Sequence, residues 1–90
     1  MFTVQMTTEV TDVSIGYAIK IVELPFVPMD GLTIKEKSVD AGTVFDEYTI
    51  GGIPDWDVES KSFECQVYFG LGEEIEVNFK DIEPRGWMAI

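Results

Sequence analysis

Ninety residues carry 17 Asp and Glu against 6 Lys and Arg and no His, for a net charge of −11. That length suits one domain and not two. Hydrophobic residues are 46% of the chain, too many for a disordered acidic tail, and the charge has the wrong sign for a protein that grips phosphates directly.

Cys65 is the single cysteine and cannot form an internal disulfide. Residues 1–8 lack a basic stretch followed by an apolar one, and no apolar run approaches the roughly 20 residues of a membrane span. The expectation is a soluble cytoplasmic protein with no membrane contact, in the host cytoplasm if phage-encoded. One Cys and no His leave zinc without its usual ligands; no metal and no cofactor is expected. Val and Ile number 19 and Ala and Leu only 6. β-Branched residues suit a pleated sheet and Ala and Leu suit helices. The expected fold is therefore mainly β, a single domain over 1–90. Five to seven antiparallel strands would form a small barrel or a strongly twisted sheet.

In chain order, Phe2, Val4 and Met6 alternate with Thr3, Gln5 and Thr7 as a first strand. Val13, Ile15, Tyr17, Ile19 and Ile21 read as the apolar face of the longest strand. Ser14, Gly16, Ala18, Lys20 and Val22 lie on its other face, where Gly16 suggests a bend or bulge. Pro25, Pro28 and Asp30-Gly31 mark a connection. Leu32 and Ile34 start a strand that runs into residues 35–37, and Asp40-Ala41-Gly42 is another turn. Between Val39 and Tyr48 there is room for one helical turn. Tyr48 and Ile50 read as strand, broken by Gly51-Gly52 before Pro54.

The carboxy-terminal half shows three period-2 segments, containing Trp56 and Val58, then Phe63, Cys65, Val67 and Phe69, then Ile75, Val77 and Phe79. Such a pattern predicts an antiparallel three-strand meander with one buried face. A three-residue loop, Leu71-Gly72-Glu73, sets Phe69 opposite Ile75, Val67 opposite Val77 and Cys65 opposite Phe79; a two-residue loop would turn Glu74 inward. A four-residue loop, Glu59 to Ser62, sets Val58 opposite Phe63 and Trp56, as a core residue, opposite Cys65. Pro84-Arg85-Gly86 is a turn, after which Trp87 to Ile90 closes the sheet as a short strand.

On this register the outer face of the meander collects Asp55, Asp57, Glu64, Glu74 and Glu76, with Tyr68 among them as an exposed anchor. Glu64 would lie between Lys80 and Asp57. Residues 46–90 carry 11 acids and 3 bases, so the acidity is local. Carboxylates two residues apart on a strand project about 6.6–6.8 Å apart, and such a row can occupy a groove built for a phosphate backbone.

No catalytic residues are expected. Carboxylates stand without a recognisable acid–base partner, and Cys65 sits in an inward column that makes a thiol inert. Asp55-x-Asp57-x-Glu59 lacks the glycine and the distal glutamate of a calcium loop. In size and charge alone the chain resembles the small acidic inhibitors that viruses and mobile elements direct against host nucleic-acid-handling proteins. The function expected is a non-enzymatic protein-binding module that mimics nucleic-acid charge. It would dock Asp55, Asp57, Glu64, Tyr68, Glu74 and Glu76 on a basic protein surface, such as a nucleic-acid-binding protein, as monomer or weak homodimer, as an inhibitor of the anti-defence type. The alternative is an assembly subunit of a virion or larger complex, held through the apolar Trp87 to Ile90 end.

Overall fold

The Val- and Ile-rich segments go into strands. A computed structural model describes residues 1–12, 16–36, 44–70 and 76–90. Within them the chain forms β1 (Phe2–Glu9), β2 (Tyr17–Leu24), β3 (Thr33–Lys35), β4 (Glu47–Asp57), β5 (Ser62–Phe69) and β6 (Met88–Ala89). A short helix, α1 (Phe79–Ile82), and 3-10 turns at Val44–Asp46 and Glu83–Arg85 complete these segments. The strands make one sheet in the order β3-β4-β5-β1-β2-β6, curled into a half-barrel. The mainly β fold agrees with the composition. The pairing is mixed rather than wholly antiparallel, because β1 lies parallel to β5, with Val4 beside Phe63 and Met6 beside Cys65.

That parallel pair replaces the expected meander. One edge of β5 is taken by β4 and the other by β1, so Val77 and Phe79 do not face Val67 and Cys65. Instead residues 76–78 run irregularly into α1. Thr11 fastens this segment, donating its backbone N–H to the Val77 carbonyl at 2.8 Å and its hydroxyl to Asn78 Oδ1 at 2.9 Å. Val77 and Ile82 are buried nonetheless; apolar residues that suggested a strand reach the core from a coil and a helix. The Leu71-Gly72-Glu73 loop, Glu74 and Ile75 lie outside the described residues. So do Val13, Ser14, Ile15, Lys37, Val39 and the Asp40-Ala41-Gly42 turn.

β2 presents the opposite face from the one its pattern suggested. Val22 pairs with Val4, Lys20 with Met6 and Ala18 with Thr8. Val4, Met6 and Thr8 are buried, so Ala18, Lys20 and Val22 point inward, while Tyr17 and Ile21 are exposed. A lysine can face inward because its methylene stem packs among apolar groups while the ammonium reaches polar partners. Lys20 Nζ donates to Glu36 Oε2 at 2.6 Å and to the Arg85 carbonyl at 2.7 Å. Gly16, at φ +81°, makes its bend just before β2, closed by the Val10 N–H on its carbonyl.

Aromatic packing closes the concave side. Trp87, 2% exposed, meets Tyr48 and Phe69 edge-on at 5.8 and 5.6 Å between ring centres. Around them runs a bonded polar ring. The Tyr48 hydroxyl donates to Glu36 Oε1 at 3.0 Å, and Arg85 Nε donates to Asp46 Oδ1 at 3.2 Å while its guanidinium lies 5.8 Å above Phe45. The Pro84-Arg85-Gly86 turn forms as expected, with Gly86 left-handed at φ +95°. β6 then pairs with β2, Met88 beside Ile19, so the tail does form a last short strand, at the edge of the open sheet.

Candidate functional site

β4 is the longest strand and bends where Gly51-Gly52 interrupts it. Its register with β5 shifts between Gly51 and Asp55, and Gly52 adopts φ +86°, which a side chain would resist. Beyond the bulge the hairpin continues as Asp55 opposite Glu64, Trp56 opposite Phe63 and Asp57 opposite Ser62. The turn therefore holds Val58 to Lys61, one residue earlier than expected. Trp56 meets Phe63 at 4.8 Å between ring centres instead of Cys65, and Phe63 in turn meets Phe2 at 6.1 Å. This cluster sits at the margin of the core, against which Phe63 packs. Trp56, expected to be core, is 51% exposed, Val58 76% and Ile53 89%.

Strand alternation puts Asp55, Asp57 and Glu64 on the face opposite Trp56 and Phe63. Asp55 and Glu64 are direct cross-strand neighbours, a like-charge pair that costs a few tenths of a kcal/mol up to about 1. Neither forms an ion pair among the described residues. Lys80, expected beside Glu64, lies in α1 instead. Asp57 Oδ1 accepts the Glu59 N–H at 3.0 Å, which shapes the turn.

The expected row of five acids is thus shorter. Glu64 lies beside Gln5 of β1, whereas exposed Glu76 precedes Val77, which is bonded to Thr11. Gln5 lies in the middle of β1, whereas Thr11 follows its end at Glu9, so Glu76 lies toward the other end of that strand. Glu74 lies outside the described residues. Tyr68 is exposed on the outer face of β5, four residues from Glu64, and its ring covers Gly51, where a Cβ would overlap it.

Cys65 is buried, and burial pushes its thiol up to about 11; almost no thiolate exists at neutral pH. Burial, and then the charge of Glu36, raise the Tyr48 phenol as well. Neither group is available as a nucleophile or base near neutrality. What the hairpin end offers is a contact surface, apolar and aromatic on one side and acidic on the other.

Sequence reasoning missed Trp56, Val58 and Ile53 as surface groups. The Gly51-Gly52-x-Pro54 run was a signal that the strand would bulge there. Comparisons of the chain with protein-family models, curated proteins and solved structures returned no match.

Proposed function

We propose that the protein is a non-enzymatic binding module that docks on a basic protein surface through the far end of the β4–β5 hairpin. The observation that carries this is the half-exposed Trp56, flanked by Ile53 and Val58, on the same two-stranded end as the opposed Asp55 and Glu64. Exposed aromatics that can be buried on contact supply most of the energy at protein interfaces. Charges without an ion-pair partner on the other face of the same end steer the approach and select a partner of opposite sign. With its acids limited to Asp55, Asp57, Glu59 and Glu64, beside Lys61 in the turn, the end matches a compact patch better than a long phosphate-binding groove.

The test is capture of partners from extract by immobilised protein, washed at graded salt and identified by mass spectrometry. Proteins retained by the native chain are expected to be lost with the double reversal Asp55→Lys/Asp57→Lys and with Trp56→Ala. They should remain with Glu23→Lys/Glu83→Lys, which changes net charge equally elsewhere. Retention that rises with salt, or that falls equally for both double reversals, rules the hairpin out.

A further inference from the structure

The other end of the same outer face holds a second arrangement. Glu9 of β1 pairs directly with Tyr17 of β2. On its other side, β1 runs parallel to β5 with Thr7 beside Gln66, so two residues further Glu9 comes alongside Tyr68. Tyrosine, glutamate and tyrosine therefore stand abreast on three adjacent strands. Both rings are half-exposed, at 47% and 58%, and Tyr68 leans over Gly51, toward β4 and away from β1. Between them lies a pocket of about 150 Å³ whose lining includes Thr7, Glu9, Tyr17, Gln66 and Tyr68.

Each feature selects for the same ligand. The volume is well short of the roughly 300 Å³ at which small-molecule sites begin, and it suits one side-chain head group. Tyr17 and Tyr68 border the pocket from the two strands that flank β1. Tyrosine faces attract cations. Glu9 places a carboxylate between the rings and makes no ion pair among the described residues. The Thr7 hydroxyl and the Gln66 amide oxygen add neutral acceptors. A planar group with several donors uses all of these at once, and that describes guanidinium better than ammonium.

We infer that the Tyr17–Glu9–Tyr68 pocket receives a single arginine side chain of the partner protein, bonded to the Glu9 carboxylate and bordered by the two tyrosines. This rests on the reading that the chain docks on a basic protein, but it uses residues outside the hairpin end.

The experiment titrates the intact protein with N-acetyl-arginine amide and follows the ring protons of Tyr17 and Tyr68 by NMR. Saturable shifts are expected with a Kd in the millimolar range, as suits one side chain, and none with N-acetyl-citrulline amide, the neutral isostere. Tyr17→Leu and Glu9→Gln should each weaken binding about fivefold without moving the unfolding midpoint. The arginine–citrulline comparison needs no variant and so stands even if a substitution disturbs folding. Absence of saturation, equal response to citrulline, or tighter binding of N-acetyl-lysine amide overturns the assignment. The two proposals also fail separately. A clear arginine response beside capture indifferent to Asp55→Lys/Asp57→Lys refutes the hairpin. Capture that responds to that reversal, with no arginine response, refutes the pocket.

Discussion

The mouth of the half-barrel and the far end of the β4–β5 hairpin combine the same residue types with opposite results. At the mouth, Lys20, Glu36, Asp46 and Arg85 are interlinked around Tyr48 and Trp87, and nearly every group is bonded and largely shielded. At the hairpin end, Asp55 and Glu64 face each other without a cation and Trp56 is half in water. Charge beside an aromatic ring is thus structural where the charges are bonded internally and the rings are buried. Where neither is, the same pairing is free to meet something else.

Substitutions should separate the two regions by size and by kind of effect. Trp87→Ala, which empties the space between Tyr48 and Phe69, should cost about 3–5 kcal/mol in urea unfolding, a large share of the 5–15 kcal/mol typical of a whole domain. Glu36→Ala should cost about 2 kcal/mol, since it leaves Lys20 with only the Arg85 carbonyl and the Tyr48 hydroxyl without its acceptor; adding Lys20→Met should recover part of that loss, and strict additivity in the cycle would break the picture of a linked ring.

Alkaline titration probes the same interior. The Cys65 thiol is held protonated up to about 11 in the fold against 9.0 for the free group. A raised acid contributes stability below its unfolded pKa and loses it as pH climbs through the folded one. Stability should therefore drop by on the order of 2 kcal/mol between pH 9 and 11, a drop that Cys65→Ala reduces, leaving the part that sets in near pH 10 from the raised Tyr48 phenol. At the hairpin, Trp56→Ala should change stability by less than about 1 kcal/mol yet weaken partner binding about tenfold or more. A large loss of stability there would make Trp56 a core residue after all. The smallest effect has the opposite sign, because Asp55→Asn relieves the repulsion with Glu64 and should add a few tenths of a kcal/mol at low salt.

Composition and alternation were enough to read the strand content, the buried column Cys65, Val67 and Phe69, the break at Gly51-Gly52 and the last short strand at Met88. They could not choose between registers two residues apart. Trp56 opposite Cys65 and Trp56 opposite Phe63 both pair apolar with apolar, so polarity was silent, and only the second leaves Trp56 beyond the core. β2 was ambiguous for a related reason, since both of its faces carry apolar residues and the inward one holds a lysine whose partners, Glu36 and the Arg85 carbonyl, come from distant segments. Val77 and Phe79 mimicked a strand although Asn78, a residue type favoured at helix starts, precedes α1. The hairpin acids were legible as a cluster, whereas the Tyr17–Glu9–Tyr68 pocket depends on the parallel contact of β1 with β5, which no local pattern announces.

That parallel contact also dictates a timetable. β1 and β2 can zip together as soon as both are made, within microseconds for a hairpin, but the flank of β1 that β5 will occupy must wait for most of the remaining chain. Closing so long a loop slows folding toward the millisecond-to-second regime of non-local sheets. Throughout that interval a row of unmatched amides and carbonyls stands open in the middle of the future sheet, vulnerable to stray strands from neighbouring molecules. Strong mutual repulsion among such acidic chains would keep those encounters infrequent until the gap is filled.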